Sequence, residues 1–171
     1  MSAATPVSDG EAAGIDPRGP RFGAAITAAL LLVVVLLGLI EPQGSDLLAR
    51  ALQPSAVLLA VLVGLFAWGA FAGIQKHPYG VLYRRLVAPR LAPSSEREHP
   101  APPTFAQLVG LLVTATGFVL HLIGVPGALV VAAAAAFVAA FLNAAVAYCL
   151  GCQLYVLLVR LGILRGGAQR A

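Results

Sequence analysis

Cys149 and Cys152 are the two cysteines of the chain, three residues apart in Tyr148-Cys149-Leu150-Gly151-Cys152-Gln153. Residues i and i+3 of a helix lie on one turn, so two sulfurs so placed come within bonding reach with some local distortion. Such a Cys-x-x-Cys pair cycles between dithiol and disulfide and exchanges with a partner's sulfur. The thiolate is the reactive form, and a helix N-terminus favours it. Here the pair closes a long apolar run, and the carbonyl end of a helix would favour the thiol instead. A break near Gly151 would reverse this and put Cys152 at the start of a second helix. Two other readings compete. Small, soft side chains also serve to pack a helix in a reducing cytosol. Two thiolates are also half of a tetrahedral metal site, but no histidine lies at ligand spacing, so no metal is expected. His77 or His99 could complete such a site only through folding or through a second chain.

Few other residues join these two. Asn143 is a polar group inside the same apolar run, where an interhelical hydrogen bond is the common role, and its helical angle points away from Cys152. Tyr148 and Gln153 flank the pair. Tyr148 and Tyr155 share a face with Cys152, as interfacial anchors or as proton donors to a thiol. Arg84 and Arg85 snorkel to lipid phosphates or hold an anionic sulfur substrate such as thiosulfate or a persulfide. His121 is expected at the surface. A Ser/His/Asp set, paired carboxylates, a phosphate-binding glycine loop and a dinucleotide fingerprint are all missing from the sequence, and no cofactor is expected.

These residues need a scaffold, and composition says which. Of 171 residues, 60% are hydrophobic and 11% charged, with a mean hydropathy of +0.90. Soluble domains carry about a quarter charged residues, so a soluble globule of this composition would expose far too much apolar surface. The formal charge of +4 sits between and after the apolar runs, not along one face interleaved with aromatics. That pattern suits a lipid bilayer as partner and does not suit nucleic acid.

Four runs are long enough to cross a bilayer, at 22–40, 55–74, 105–123 and 128–150. The last continues apolar as far as Val159, longer than one crossing requires, so it tilts, extends or breaks. Glycines 64, 69 and 73 are spaced to let a neighbouring helix approach closely. Between spans two and three, 79–88 reads as a short interfacial helix with Tyr79, Leu82, Tyr83 and Leu86 on one face, turned toward lipid, and Arg84 and Arg85 away from it. Residues 1–19 read as a disordered cytoplasmic tail, 20–165 as the membrane domain and 166–171 as a second tail. Most cations fall in 75–104 and the C-terminal tail, whereas Arg50 alone marks the other connections. The positive-inside rule then places both termini in the cytoplasm of a multi-pass protein of the bacterial cytoplasmic membrane.

The chain also repeats itself. Pro17-Arg18-Gly19-Pro20-Arg21-Phe22 precedes the first span and Pro100-Ala101-Pro102-Pro103-Thr104-Phe105 the third, both Pro-x-x-Pro-x-Phe. A duplicated two-helix hairpin follows from that placement.

His77-Pro78-Tyr79-Gly80 with Arg84-Arg85, Pro102-Pro103-Thr104-Phe105-Ala106-Gln107, and Leu142-Asn143-Ala144 leading to Cys149-Leu150-Gly151-Cys152 resemble the bacterial membrane family called domain of unknown function 4395. The resemblance runs from about Pro17 to Arg160. It implies association with thioredoxin-like or sulfurtransferase proteins and no defined reaction. The chain departs from the pattern at Thr104, where arginine is expected.

The expected fold is all-α: four transmembrane helices as two duplicated hairpins, with the interfacial helix between them. Two functions stay open. In one, Cys149 and Cys152 exchange disulfides or relay sulfur at the cytoplasmic leaflet for a thioredoxin-like or sulfurtransferase protein. In the other, the protein is a non-catalytic scaffold or accessory subunit with inert cysteines. Self-association into a homo-oligomer is compatible with either.

Overall fold

The computed structural model of the protein describes residues 14–92 and 97–164. The expected tails at 1–13 and 166–171 lie outside these residues. Helix α1 spans Arg18–Ile40, α2 Leu47–Ala51, α3 Pro54–Ala72 and α4 Pro78–Leu82. Helix α4 continues through a π-turn at Tyr83–Val87 and a tight turn at Ala88–Arg90. Helix α5 spans Ala101–Leu122, α6 Ala128–Val146 and α7 Leu150–Arg160. Among the described residues, α1, α3, α5 and α6 are long and apolar enough to cross a membrane, and the protein is an all-α membrane protein with four spans.

At the end of the bundle away from the cysteines, polar side chains satisfy the helix termini. The Glu41 carboxylate stops α1 and accepts hydrogen bonds from Ser55 Oγ at 2.6 Å and from the Ser55 N–H at the start of α3. A negative charge there meets the positive end of the α3 dipole. Asp46 accepts from the Ala49 N–H at 2.8 Å and caps α2. Arg50, which reads from sequence as a bare loop cation, donates to the carbonyls of Gly44, Ser45 and Leu122 at 3.0, 3.3 and 3.0 Å. It therefore meets a C-terminal carbonyl of α5 that its own helix leaves unpaired.

The packed core fills this same half. Leu31 and Val34 of α1, Ala56, Leu59 and Leu62 of α3, and Leu129 and Ala133 of α6 are buried together. In lipid there is no hydrophobic drive between helices, so close packing of small residues holds them. A Cβ at Gly117 would lie 2.1 Å from the Ala132 side chain, and one at Gly110 2.5 Å from Phe66. Of the three glycines expected to do this, only Gly69 meets a neighbour, the Gln107 side chain; a Cβ at Gly64 or Gly73 meets nothing within 4 Å. Gly73 takes φ 82° and ends α3. His121, expected at the surface, is buried at 8% exposure.

At the cysteine end the chain folds back on itself. Ile15 exchanges backbone hydrogen bonds with Glu98 at 2.9 and 3.0 Å. Asp16 caps the Arg18 N–H and accepts from Tyr83 Oη at 3.0 Å, and Arg18 donates to the Ala92 carbonyl. Residues 14–19, which the expected tail included, thus belong to the fold, and α1 starts at Arg18. Tyr79 and Tyr83 also turn inward, not toward lipid. Tyr83 is buried and packs on Phe22 with ring centroids 5.9 Å apart, while Leu82 and Leu86 stay exposed. A bound hydroxyl explains the inversion, because Tyr83 finds in Asp16 a partner that a lipid-facing tyrosine would lack.

Candidate functional site

The fourth span ends at Val146, four residues before the expected 150, and the break decides what the cysteines face. Ala147 enters the left-handed region at φ 57°, and the N–H groups of Ala147 and Tyr148 both reach the Leu142 carbonyl. That conformation costs a residue with a Cβ about 1–2 kcal/mol. The chain then restarts as α7, with Cys149 as its N-cap: the Cys149 sulfur accepts from the Cys152 N–H at 3.3 Å. Cys149 and Cys152 sit at disulfide distance, their Cα atoms 5.2 Å apart. The pair is therefore at a helix N-terminus and not at the carbonyl end of a long helix.

Gly151 is not the break. It lies in the first turn of α7, where a Cβ would come 2.6 Å from Ala106 Cα, so its missing side chain lets α7 lie against α5. Tyr155, one turn on, packs on Phe105 at 5.6 Å. Arg21 of α1 donates to the Ala144 carbonyl at 3.4 Å, bringing a cation to the end of α6 beside the cysteine turn. Thr104, where the resemblance leads one to expect arginine, accepts the Ile74 N–H at 3.4 Å.

Cys149 also lines a cavity of about 820 Å³ that enters the bundle from this end. Its mouth carries Arg18, Arg84 and Arg97, and its walls Tyr79, Gln107 and Asn143. Farther in come Phe66, Val113, Ala135, Ala136 and Ala139. Val113 is roughly 18 Å along α5 from Ala101 at ~1.5 Å per residue, and a bilayer's hydrocarbon is about 30 Å thick. The cavity thus reaches past the middle of the bundle's height. The alanine run of α6 creates it, because side chains this short leave the cysteine half unfilled.

Of the expected residues, Cys149, Cys152, Asn143 and Arg84 come together. Asn143 shares the cavity with Cys149 even though its helical angle pointed elsewhere, because α7 folds back from α6. Arg84 donates to the Gln75 carbonyl at the mouth. Arg85 is exposed and off the cavity, Tyr148 is 47% exposed in the turn, and Gln153 is exposed, its N–H bonding the Cys149 carbonyl. Among the described residues no three His, Cys, Asp or Glu side chains gather.

Sequence reading weighed His77 only as a remote metal ligand and Tyr79 only as a lipid-facing anchor, and it gave Gln107 no role, whereas all three line the cavity. His77 is 3% exposed, lines the cavity and caps α4 by accepting the Tyr79 N–H at Nδ1, while Nε2 donates to the Leu65 carbonyl at 3.2 Å. These bonds assign the neutral tautomer with its proton on Nε2. Burial lowers the His77 pKa below 6.5, partly offset by the Leu65 bond. Burial raises the Tyr79 phenol, the nearby Thr27 hydroxyl opposing it, and the Tyr79 hydroxyl is buried with no hydrogen bond of good geometry.

The pH consequence has a definite sign. With a folded pKa below the unfolded one, the unfolded chain binds the proton first as pH falls. Stability from neutral His77 is complete above 6.5 and declines below it, down to the folded value. Thermal unfolding in detergent from about pH 7.5 to about pH 5 is expected to show a falling midpoint in the native chain, across the ordinary histidine range. His77→Asn, which keeps a capping group but no titration, is expected to flatten that slope. An unchanged slope in the variant would refute the assignment.

A family model described as Domain of unknown function (DUF4395) matches residues 15–160. The chain belongs to that family. No curated protein and no solved structure matches it. The family's domain begins at Ile15, which pairs with Glu98, and ends at Arg160, the last residue of α7. It contains the N-terminal fold-back, the cavity and the cysteine helix together.

Proposed function

We propose that the protein performs thiol–disulfide exchange at one face of the membrane through Cys149 and Cys152, with a thioredoxin-like or sulfurtransferase protein as its partner. The observation that carries this reading is the position of the pair at the N-terminus of α7. The Cys152 N–H and the α7 dipole stabilise negative charge on the Cys149 sulfur. A partner dithiol reduces the pair in two steps. One partner thiolate attacks Cys149 Sγ, the S–S bond breaks, and Cys152 leaves as thiolate. The second partner thiolate then attacks the mixed disulfide, leaving Cys149 as thiolate and the partner oxidised.

Charge supports a cytoplasmic position for this face. Arg18, Arg21, Lys76, Arg84, Arg85, Arg90 and Arg97 cluster at the cysteine end, against Arg50 at the other, where it is bound to carbonyls. Duplication is part of the same reading. Pro17 and Pro100 both occupy the N-cap of their helices, and the Phe22–Tyr83 and Phe105–Tyr155 contacts correspond. His77 precedes Tyr83 by as many residues as Cys149 precedes Tyr155, and both are N-caps.

The test is maleimide labelling in intact cells and in inverted vesicles, with and without reductant. Labelling of Cys149 and Cys152 that appears only after reduction, and only from the cytoplasmic side, supports the reading. Equal labelling without reductant, together with full function of a Cys149→Ala, Cys152→Ala double variant, would leave a scaffold as the answer.

A further inference from the structure

We propose that the cavity beside Cys149 binds a membrane-soluble quinone, which accepts the two electrons of the reduced cysteine pair. This rests on the exchange reading above and names the acceptor that it lacks.

The lining of the cavity carries it. The cavity wall presents polar groups suited to carbonyl oxygens, namely the Tyr79 hydroxyl and the amides of Gln107 and Asn143. The Tyr79 hydroxyl is buried in the cavity wall and makes no hydrogen bond of good geometry, Thr27 being the side chain that acts on it, so it is placed to donate to a ligand's carbonyl oxygen. Below this belt the walls turn apolar, with Phe66, Val113 and Ala136, which suits an aromatic ring carrying a hydrocarbon tail and does not suit a hydrophilic sulfur anion. Cys149 lies on the same wall.

The chemistry balances. The Cys149 thiolate adds to an electron-poor ring carbon, forming a C–S bond and placing charge on a ring oxygen that takes up a proton. The Cys152 thiolate then attacks the Cys149 sulfur; the S–S bond forms as the C–S bond breaks, and the ring leaves as hydroquinone after a second proton. Two thiols lose two electrons and two protons, and one quinone gains both.

The experiment uses the full chain in nanodiscs, reduced, freed of reductant, and mixed with ubiquinone-1 as the probe. Quinone absorbance and protein thiols are followed together, alongside exchange with a soluble thioredoxin. One quinone reduced and two thiols lost per chain is the expected result. Tyr79→Phe is expected to weaken quinone binding about tenfold, one lost hydrogen bond. Ala139→Leu, which fills the apolar part, is expected to weaken it at least as much. Thermal unfolding of each variant separates these effects from misfolding, and stabilisation of the oxidised chain by quinone provides a readout without turnover. Thioredoxin exchange with no quinone reduction overturns this inference and leaves the exchange reading standing. Loss of both overturns both. Quinone reduction unaffected by Tyr79→Phe and Ala139→Leu, or stabilisation by a fatty-acid anion and not by quinone, also overturns the cavity assignment.

Discussion

Cys152→Ser is expected to accumulate a mixed disulfide between Cys149 and its partner, whereas Cys149→Ser accumulates almost none. The asymmetry follows from the helix restart. As N-cap, the Cys149 sulfur sits over the first N–H groups of α7 and accepts one of them from Cys152. Charge on that sulfur is stabilised by the dipole, which acts within the first turn of a helix. Cys149 also faces the cavity, while Cys152 is one turn into α7. Cys149 is therefore the sulfur that attacks or is attacked, and Cys152 the one that resolves. With a partner whose second cysteine is also replaced by serine, removing the resolver leaves the mixed disulfide to decay by slow external exchange, over minutes to hours where the native pair resolves in roughly seconds. Non-reducing electrophoresis with mass spectrometry of the adduct reads the difference, expected at about two orders of magnitude. Equal trapping by both single variants would contradict the assigned order, and trapping by neither would remove the exchange activity altogether.

A second large effect concerns the scaffold. Gly117→Ala is expected to destabilise the bundle by about 1–3 kcal/mol, the usual cost of overpacking. The new Cβ would sit 2.1 Å from the Ala132 side chain and 3.1 Å from the Ala128 carbonyl oxygen, where α5 crosses α6. Gly64→Ala makes the matched control. Nothing lies within 4 Å of that Cβ, and alanine gains about 0.5–1 kcal/mol of helix stability over glycine. The two variants change the same atoms on two spanning helices and are expected to move the unfolding midpoint in opposite directions, by roughly 2–4 °C per kcal/mol for a chain of this size. A common direction for both would mean that the α5–α6 crossing does not limit stability.

The four spans were legible because each is an uncharged run ended by charges, prolines or glycines. Where the fourth ends was not. Its length left a tilt, an extension or a break near Gly151 open, and the bend falls on Ala147, a residue without the usual signature of a left-handed turn. Only the packing of α7 on Ala106 explains why glycine was needed four residues later instead. The glycines that hold the bundle were likewise hidden. Gly110 and Gly117 stand one heptad apart on α5, a spacing visible in the sequence, but nothing local distinguishes them from Gly64. The segment at 14–19 reads as unstructured because its partners, Tyr83, Ala92 and Glu98, are remote in the chain. The thiol pair was legible as a pair, and its chemistry was not, since that depends on which end of which helix it occupies.

The two ends of the bundle differ in a way that limits traffic. Arg50 and Glu41 fasten one end, and the leucine core fills the half beneath it, so the alanine-lined space is a cul-de-sac. A molecule that enters must leave by the same mouth or slip sideways between helices into the lipid. Among the described residues the mouth lies in the cysteine half, so whatever the cavity holds is exchanged at that end of the bundle.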